Sequence, residues 1–201
     1  TAIAIVFLGY TISSFIGVTA NLKIAKVDAF DSLYALRKMR SLSYKANADE
    51  SRYLLDRANS IKHEQSFNDK IAKIITMPSN LSIEMTIANI TQSKPLQEIT
   101  GLFSYELNNI TFPGERKLAA DTLQSFADYL KIDKQIRQLY QSGKVAEAIA
   151  LCIGTKPGES NWAFSRYKHL HTQLMELNKL EFDRNIELGN NRVANFEAIA
   201  V

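Results

Sequence analysis

The chain has 201 residues and a net charge of +3, with Lys and Arg interspersed among Asp and Glu. Because no basic stripe is present, the charge pattern argues against nucleic-acid binding. The single cysteine, Cys152, excludes an internal disulfide framework and a cysteine-based zinc cluster, and the scarcity of proline (four) and glycine (eight) favours a helical fold.

The first predicted element is a membrane helix over residues 1–22, which carry no charged side chain. A membrane-spanning helix needs about 20 mainly apolar residues. Charges begin at Lys23, where a water boundary is expected. Two alternatives stay open: a cleaved signal sequence, whose apolar core is about 7–15 residues long, and a buried core helix.

The stretch from Lys23 to Ser60 contains no Pro or Gly. Its apolar residues recur at helical spacing, and they are Ala35, Met39, Leu42, Ala46 and Tyr53. We therefore predict that the membrane helix continues outward as one amphipathic helix of about 57 Å. A shorter helix over 61–76, an irregular or helical segment over 81–93 and a helix over 96–108 follow.

Two more long helices are predicted after the turn at Pro113 and Gly114. One covers 115–142 and stops at Gly143, a favourable residue just beyond a helix C-terminus. A short helix over 144–153 precedes the last helix, which runs from Asn161 to Val201 with a seven-residue apolar repeat. Residues 194–201 become apolar and predict the start of a second membrane helix.

These lengths predict an all-α fold, an elongated and roughly four-helix bundle over residues 23–193. The bundle would be continuous with the N-terminal membrane helix and with a C-terminal one. Because both ends would enter the same membrane, the first and last long helices should run antiparallel. The pieces between residues 61 and 108 should fill the fourth side.

No catalytic or metal-binding motif is present. The chain lacks a Walker-type glycine loop, a G-x-S-x-G sequence and an H-E-x-x-H sequence. His169 and His171 would point about 200° apart on a helix and cannot share a metal. We therefore predict no enzyme, no metal and no cofactor.

Polar and aromatic residues in three stretches form the candidate ligand site. The competing interpretations are ordinary ion pairs on a helix surface for the first stretch, and a helix start with Trp162 as a core anchor for the third. In the second stretch Glu115 stands next to the candidates. The candidate residues are Asp49, Arg52, Tyr105, Glu106, Asn108, Asn109, Arg116, Asn161 and Trp162.

This succession of a membrane helix, about 170 helical residues and a second membrane helix resembles the four-helix-bundle sensory modules of bacterial membrane receptors, such as chemoreceptors and sensor kinases. The segments NADESRYLLD (47–56), ELNNITFPGER (106–116) and PGESNWAF (157–164) look like parts of uncharacterised membrane proteins from actinobacteria and cyanobacteria. The resemblance to sensory modules implies a small-molecule ligand bound between helices or across a homodimer. It also implies that ligand binding is transmitted as a signal by small shifts of the helices.

The expected function is therefore an extracytoplasmic sensory or ligand-binding domain of a bacterial membrane signal-transduction protein. The alternative is a membrane-anchored structural or assembly subunit that binds protein partners. Positive residues such as Lys23, Lys26 and Arg37 follow the membrane span and would favour the cytoplasmic side. Large domains, however, cross membranes largely regardless of charge.

Overall fold

The computed structural model describes the backbone of residues 2–96 and 98–200, and their side chains apart from residues 3 and 195–200. The described chain is all-α and contains no strand, as predicted. A π-helical segment at Ile24–Phe30, here called the π segment, and a 3₁₀ turn at Arg57–Asn59 interrupt the α-helices. These helices are α1 (Ala2–Lys23), α2 (Asp31–Leu55), α3 (Ser60–Ile74), α4 (Ile83–Thr91), α5 (Leu102–Asn108), α6 (Glu115–Gln141), α7 (Val145–Ile153) and α8 (Ser160–Ala200).

The first long helix is continuous from α1 through the π segment into α2. Lys23 and Asp31, which flank the π segment, both have right-handed helical dihedral angles. The backbone is therefore helical from α1 into α2, the helix ends at Leu55 rather than at the predicted Ser60, and the change in winding was not foreseen. That this helix continues a membrane span stays a prediction. The π segment contains no Pro or Gly, so no helix-breaking residue causes it.

Four helices form the bundle, with α2 and α6 running one way and α3 and α8 the other. Ring contacts join α2 to α6 and α6 to α8: Tyr53 lies 5.0 Å from Tyr140, and Phe126 lies 5.0 Å from Tyr167. An ion pair between Asp49 and Lys70 joins α2 to α3. The largest fully buried apolar side chains come from all four sides, and they are Tyr129, Tyr167, Phe103, Phe126, Leu36, Met39, Ile74, Ile90, Leu123, Ile136 and Leu174.

Helices α3, α4 and α5 fill the fourth side, but the predicted helix over 96–108 is wrong in its first half. Its helical part begins only at Leu102. Gly101 has φ +98°, outside the right-handed helical region. The backbones of Thr76 and Thr100 exchange two hydrogen bonds of 2.9 Å, which hold this part of the chain extended.

Helices α1 and α8 lie side by side and run antiparallel, as predicted. The ring of Phe30, in the π segment, lies 6.0 Å from the ring of Phe182 on α8, and further along α8 Arg192 covers Gly17 of α1. A Cβ atom on Gly17 would lie 1.3 Å from Nη1 of Arg192. The missing side chain therefore allows the guanidinium group to lie on the surface of α1.

Within the described residues, one helix is long and apolar enough to cross a membrane by length and composition, and it includes α1. Only 6% of its apolar window is buried, which argues against a buried core helix. The second membrane helix expected at 194–201 remains a prediction, because the side chains of residues 195–200 and all of residue 201 lie outside the described part.

Candidate functional site

An open groove of about 930 Å³ lies between the middle of α2, the end of α3 and α5. We call it the α5 groove. A smaller hollow of about 310 Å³ shares Lys38, Leu102 and Tyr105 with it and extends along α2 past Tyr34 to Asp31. The α5 groove is lined by Lys38, Ser41, Leu42, Lys73, Thr100, Gly101, Leu102, Ser104, Tyr105, Asn108 and Asn109.

The fold fixes the wall of the groove formed by residues 100–109. The backbone pairing of Thr76 with Thr100 ties this wall to the end of α3. Within α5, Phe103 and Leu107 are buried in the core, and Tyr105 stands on the exposed face. The helical period thus divides α5 into an anchoring face and a groove face.

The charges along the α5 groove have one sign. Lys38 on α2 and Lys73 on α3 line it, and no Asp or Glu does. In the described part of the chain neither lysine forms an ion pair, although Nζ of Lys38 lies 4.3 Å from the ring centroid of Tyr34. The groove therefore favours negatively charged ligands.

One end of the groove contacts the helix that leads to α1. The side-chain amide of Asn109 donates a hydrogen bond of 3.1 Å to the carbonyl oxygen of Val27. Val27 belongs to the π segment. A displacement of α5 would therefore act directly on the segment between α2 and α1.

The buried face of α5 carries Glu106, which joins a cluster drawn from four helices, here called the carboxyl cluster. Its members are completely buried: Ser32 on α2, Glu106 on α5, Glu115 on α6 and Asn178 on α8. The amide nitrogen of Asn178 donates to Glu106 over 3.3 Å. Oε2 of Glu115 accepts the backbone N–H groups of residues 111 and 112 at 2.7 and 2.9 Å.

Burial sets the protonation state of the carboxyl cluster. Burial first, and then the neighbouring charge of Glu115, raises the pKa of Glu106 well above its ordinary value. Burial also raises the pKa of Glu115, although two backbone N–H groups act in the opposite direction. Two adjacent buried carboxyl groups are most stable with a proton between them, because two like charges would repel in a poorly solvated place.

A second polar cluster lies at the far end of the bundle and contains Asp49 and Arg52 from the predicted site. Asp49 is buried and accepts from Arg52 at 2.9 Å and from Lys70 at 2.5 Å. Burial alone would raise the pKa of Asp49, but hydrogen bonds from Lys70, Ser66 and Arg52 lower it on balance. Asp49 and Arg52 therefore form an ion-pair network on α2 and α3, outside the α5 groove.

The adjacent residue, Glu50, is buried in the core of the same end. Its Oε1 accepts from the hydroxyl of Ser160 at 2.6 Å and from the thiol of Cys152 at 3.5 Å. Burial raises the pKa of Glu50 to about 7, since these donors only partly offset the loss of solvent. Burial raises the pKa of Cys152 to about 12, so the thiol is an unreactive core group.

The structure brings three of the nine predicted site residues to the α5 groove: Tyr105, Asn108 and Asn109. Glu106 faces the core. Besides Asp49 and Arg52, three candidates remain, and each contacts other parts of the protein outside the groove. Arg116 donates to the Ile90 carbonyl at 2.9 Å, and Asn161 donates to the Ile153 carbonyl at 3.0 Å. The half-buried Trp162 packs on the core.

The two lysines of the groove were missed by sequence reasoning. Lys38 and Lys73 lie 35 positions apart, on helices whose facing sides are decided by packing. The available signal was weak: Lys38 has no acidic residue at position i+4 or i−4, whereas Lys73 has Asp69 at i−4, a spacing that on its own predicts an ion pair along α3.

In the described residues no group of three or more His, Cys, Asp or Glu side chains is arranged to hold a metal ion. Comparison with protein-family models, with curated proteins and with solved structures finds no match to this chain. The α5 groove and its connections to the other helices are therefore the features that bear on function.

Proposed function

We propose that the chain is an extracytoplasmic sensory domain of a membrane signal-transduction protein, with the α5 groove as its ligand site. The observation that carries the proposal is the double connection of α5. Asn109 binds the π segment, which leads into α1, and Glu106 lies in the carboxyl cluster with Asn178 of α8. A ligand that moves α5 would therefore act on both helices that pair at the base of the bundle.

The π segment is suited to transmit such a movement. It joins two α-helices and contains no Pro or Gly that would fix a kink. Helix shifts of about 1–2 Å are sufficient in switching proteins. Coupling free energies between two sites are typically about 1–3 kcal/mol.

A substitution that fills the groove tests this proposal without knowledge of the ligand. Ser41→Trp places an indole in the α5 groove, and Ser165→Trp places one on an exposed part of α8 as the matched control. Spin labels on cysteines replacing Thr19 of α1 and Val193 of α8 report the distance between these helices in lipid nanodiscs. The buried native cysteine has a raised pKa and should not react with the label.

We expect Ser41→Trp to shift the distance between the labels by about 1–2 Å or to change its distribution. Ser165→Trp should leave it as in the unmodified chain. Identical distributions in all three proteins would contradict the sensory proposal.

The position of the bundle relative to the membrane is tested separately. Lys156→Cys introduces a thiol in the exposed turn before α8, at the end of the bundle far from α1. A membrane-impermeant maleimide should label this cysteine in intact cells. Labelling only after lysis would place the bundle in the cytoplasm, and the unmodified chain is the control because Cys152 is buried.

One observation supports the alternative, a membrane-anchored assembly subunit. Leu55, Ile61 and Ile153 are 78%, 69% and 63% exposed, and all three lie near the far end of the bundle. Such a group can mark a protein contact. A protein that remains bound after mild solubilisation, and is lost from a Leu55→Lys and Ile153→Lys variant, would favour this function.

A further inference from the structure

We infer that the α5 groove binds a small organic anion, a carboxylate attached to a compact apolar body. The inference deepens the proposed function by naming the ligand class of the same groove. It is carried by two lysines without a carboxylate partner that line one cavity from different helices, together with the apolar and hydrogen-bonding groups between them.

Two lysines set the charge of the α5 groove. Four exposed lysines have a carboxylate partner, among them Lys117 with Asp121 and Lys179 with Asp183. Most exposed lysines of the described chain have none, so the placement of two of them on one groove is the relevant feature. Lys38 and Lys73 have none in the described part of the chain, and the groove between them contains no acidic side chain. A cavity lined by one sign of charge concentrates ligands of the opposite sign.

Apolar side chains of the groove favour a ligand with an apolar body. Leu42 and Leu102 line the groove, and the ring of Tyr105 is 57% exposed beside them. Sites for small molecules are mainly apolar cavities of about 300–1,000 Å³ with a few placed polar groups. The volume of about 930 Å³ lies within this range, and the apolar side chains favour an organic anion over a bare inorganic one.

Hydrogen bonds hold one wall of the groove in place without a ligand. The wall formed by Thr100 and Gly101 is fixed by the backbone pairing with Thr76, and the hydroxyl of Ser104 donates to the Gly101 carbonyl at 2.7 Å. Asn108 and Ser41 are exposed at the groove and provide hydrogen-bond donors. A wall that is already ordered lowers the entropy cost of binding.

The test uses the complete chain in phosphatidylcholine nanodiscs, whose neutral surface does not attract anions. Binding is followed by the ¹⁹F relaxation of 4-fluorobenzoate at low ionic strength, with 4-fluorobenzamide as the uncharged counterpart. The variants are Lys38→Gln and Lys73→Gln, alone and together. Lys134→Gln on the exposed surface of α6 is the matched control.

We expect 4-fluorobenzoate to bind and 4-fluorobenzamide to bind much more weakly. Each groove lysine variant should weaken benzoate binding by about two- to fivefold, as is typical of an exposed charge pair. The double variant should lose more, and Lys134→Gln should bind as the unmodified chain does. Because Lys38 and Lys73 are exposed, their substitution should leave the fold intact, which the fluorescence of Trp162 checks.

Three results would overturn the inference: no benzoate binding to the unmodified chain, equal binding of the benzamide, or equal loss in Lys134→Gln. Displacement of benzoate by an equal concentration of inorganic phosphate would overturn the requirement for an apolar body. These outcomes are independent of the groove-filling test. A shift of the α1–α8 distance in Ser41→Trp without benzoate binding would reject only the ligand class, whereas benzoate binding without any shift would reject the sensory function.

Discussion

Glu50 on α2 and His171 on α8 are both almost fully buried, and their pKa values move in opposite directions. Burial raises the pKa of Glu50 to about 7. Burial, and then the positive charge of Arg40, lowers the pKa of His171 to about 4. Both groups therefore prefer the neutral form in the folded protein, as expected for side chains removed from water.

The two shifts have opposite consequences for stability. The folded pKa of Glu50 lies above the ordinary value of 4.5, so its contribution is complete below about pH 4.5 and is lost as the pH rises to about 7. The folded pKa of His171 lies below the ordinary value of 6.5, so its contribution is complete above about pH 6.5 and is lost as the pH falls toward 4. Between about pH 4.5 and 6.5 the two dependences oppose each other.

We predict that Glu50→Gln removes the pH dependence of stability that Glu50 causes and leaves that of His171. Glutamine can still accept from Ser160 but cannot ionise. The free energy of unfolding of the variant, relative to the unmodified chain, should therefore rise by about 3 kcal/mol between pH 4.5 and 7. Urea unfolding in detergent micelles, followed by Trp162 fluorescence, measures this difference, and a difference that is constant with pH would contradict the assignment.

Gly101 and Gly143 both have positive φ angles, +98° and +79°, but their surroundings differ. A Cβ on Gly101 would lie 2.8 Å from the carbonyl oxygen of Ile74, whereas nothing lies within 4 Å of one on Gly143. We predict that Gly143→Ala costs about 1 kcal/mol from its backbone conformation alone. Gly101→Ala should cost clearly more, because a backbone atom must also move.

The same urea unfolding experiment compares the two alanine variants. Because Gly101 lines the α5 groove, its variant should also bind 4-fluorobenzoate more weakly if the groove is the anion site. Equal losses of stability in the two variants would show that the close approach to Ile74 does not matter.

At the scale of elements, the sequence predicted the long helices well and the irregular elements poorly. The expected helices over 115–142 and 144–153 are observed at Glu115–Gln141 and Val145–Ile153, because Gly143 and Gly154 end clear periodic patterns. The extended stretch before α5 depends on the pairing of Thr76 with Thr100, which no local pattern reveals. The π segment has the composition of an ordinary helix, so its altered winding could not be predicted from the local sequence pattern.

The residues of the α5 groove were likewise predicted only in part from the sequence. Tyr105 and Asn108 were found because they are close in sequence and carry conspicuous side chains. Lys38 and Lys73 join them only through the antiparallel packing of α2 on α3, which sets the register of two separate helices. The periodicity of a single sequence predicts which side of each helix is apolar, but it does not predict which helices pack against each other. The α5 groove forms only when α2, α3 and α5 pack together.

The hydrogen bond from Asn109 to Val27 gives a prediction about the coupling between elements. Asn109→Ala removes the side-chain donor to the π segment. Asn161→Ala is the matched control, since Asn161 also donates its side-chain amide to a backbone carbonyl, at the far end of the bundle. We expect Asn109→Ala to reduce the effect of Ser41→Trp on the α1–α8 distance, and Asn161→Ala to leave it intact.

Spin-label distances in the two double variants measure this coupling. A response to Ser41→Trp that survives in the Asn109→Ala background would show that α5 acts on the paired helices by another route. The carboxyl cluster is that route in the present structure, because it joins α5 to α8.

At the scale of the whole molecule, the carboxyl cluster is the place where α2, α5, α6 and α8 meet. Its polar side chains are completely buried. One oxygen of Glu106 and one of Glu115 have no hydrogen-bond partner within the described residues. Such a buried pair is stable only while it retains a proton, since two unpaired charges would be costly there. The packing of four helices is thereby linked to a single ionisation.

We predict that Glu106→Gln makes the bundle less sensitive to alkaline pH. The folded pKa of Glu106 is raised, so its contribution to stability is present at low pH and is lost as the pH increases. Glutamine keeps the shape of the side chain and cannot repel Glu115. The melting temperature of the variant should therefore exceed that of the unmodified chain by a few degrees at pH 8, and the difference should shrink at pH 5.

Circular dichroism in nanodiscs measures both values, with Glu187→Gln on the exposed face of α8 as the control. A variant that melts below the unmodified chain at both pH values would mean that the cluster needs a second carboxyl group rather than a shared proton.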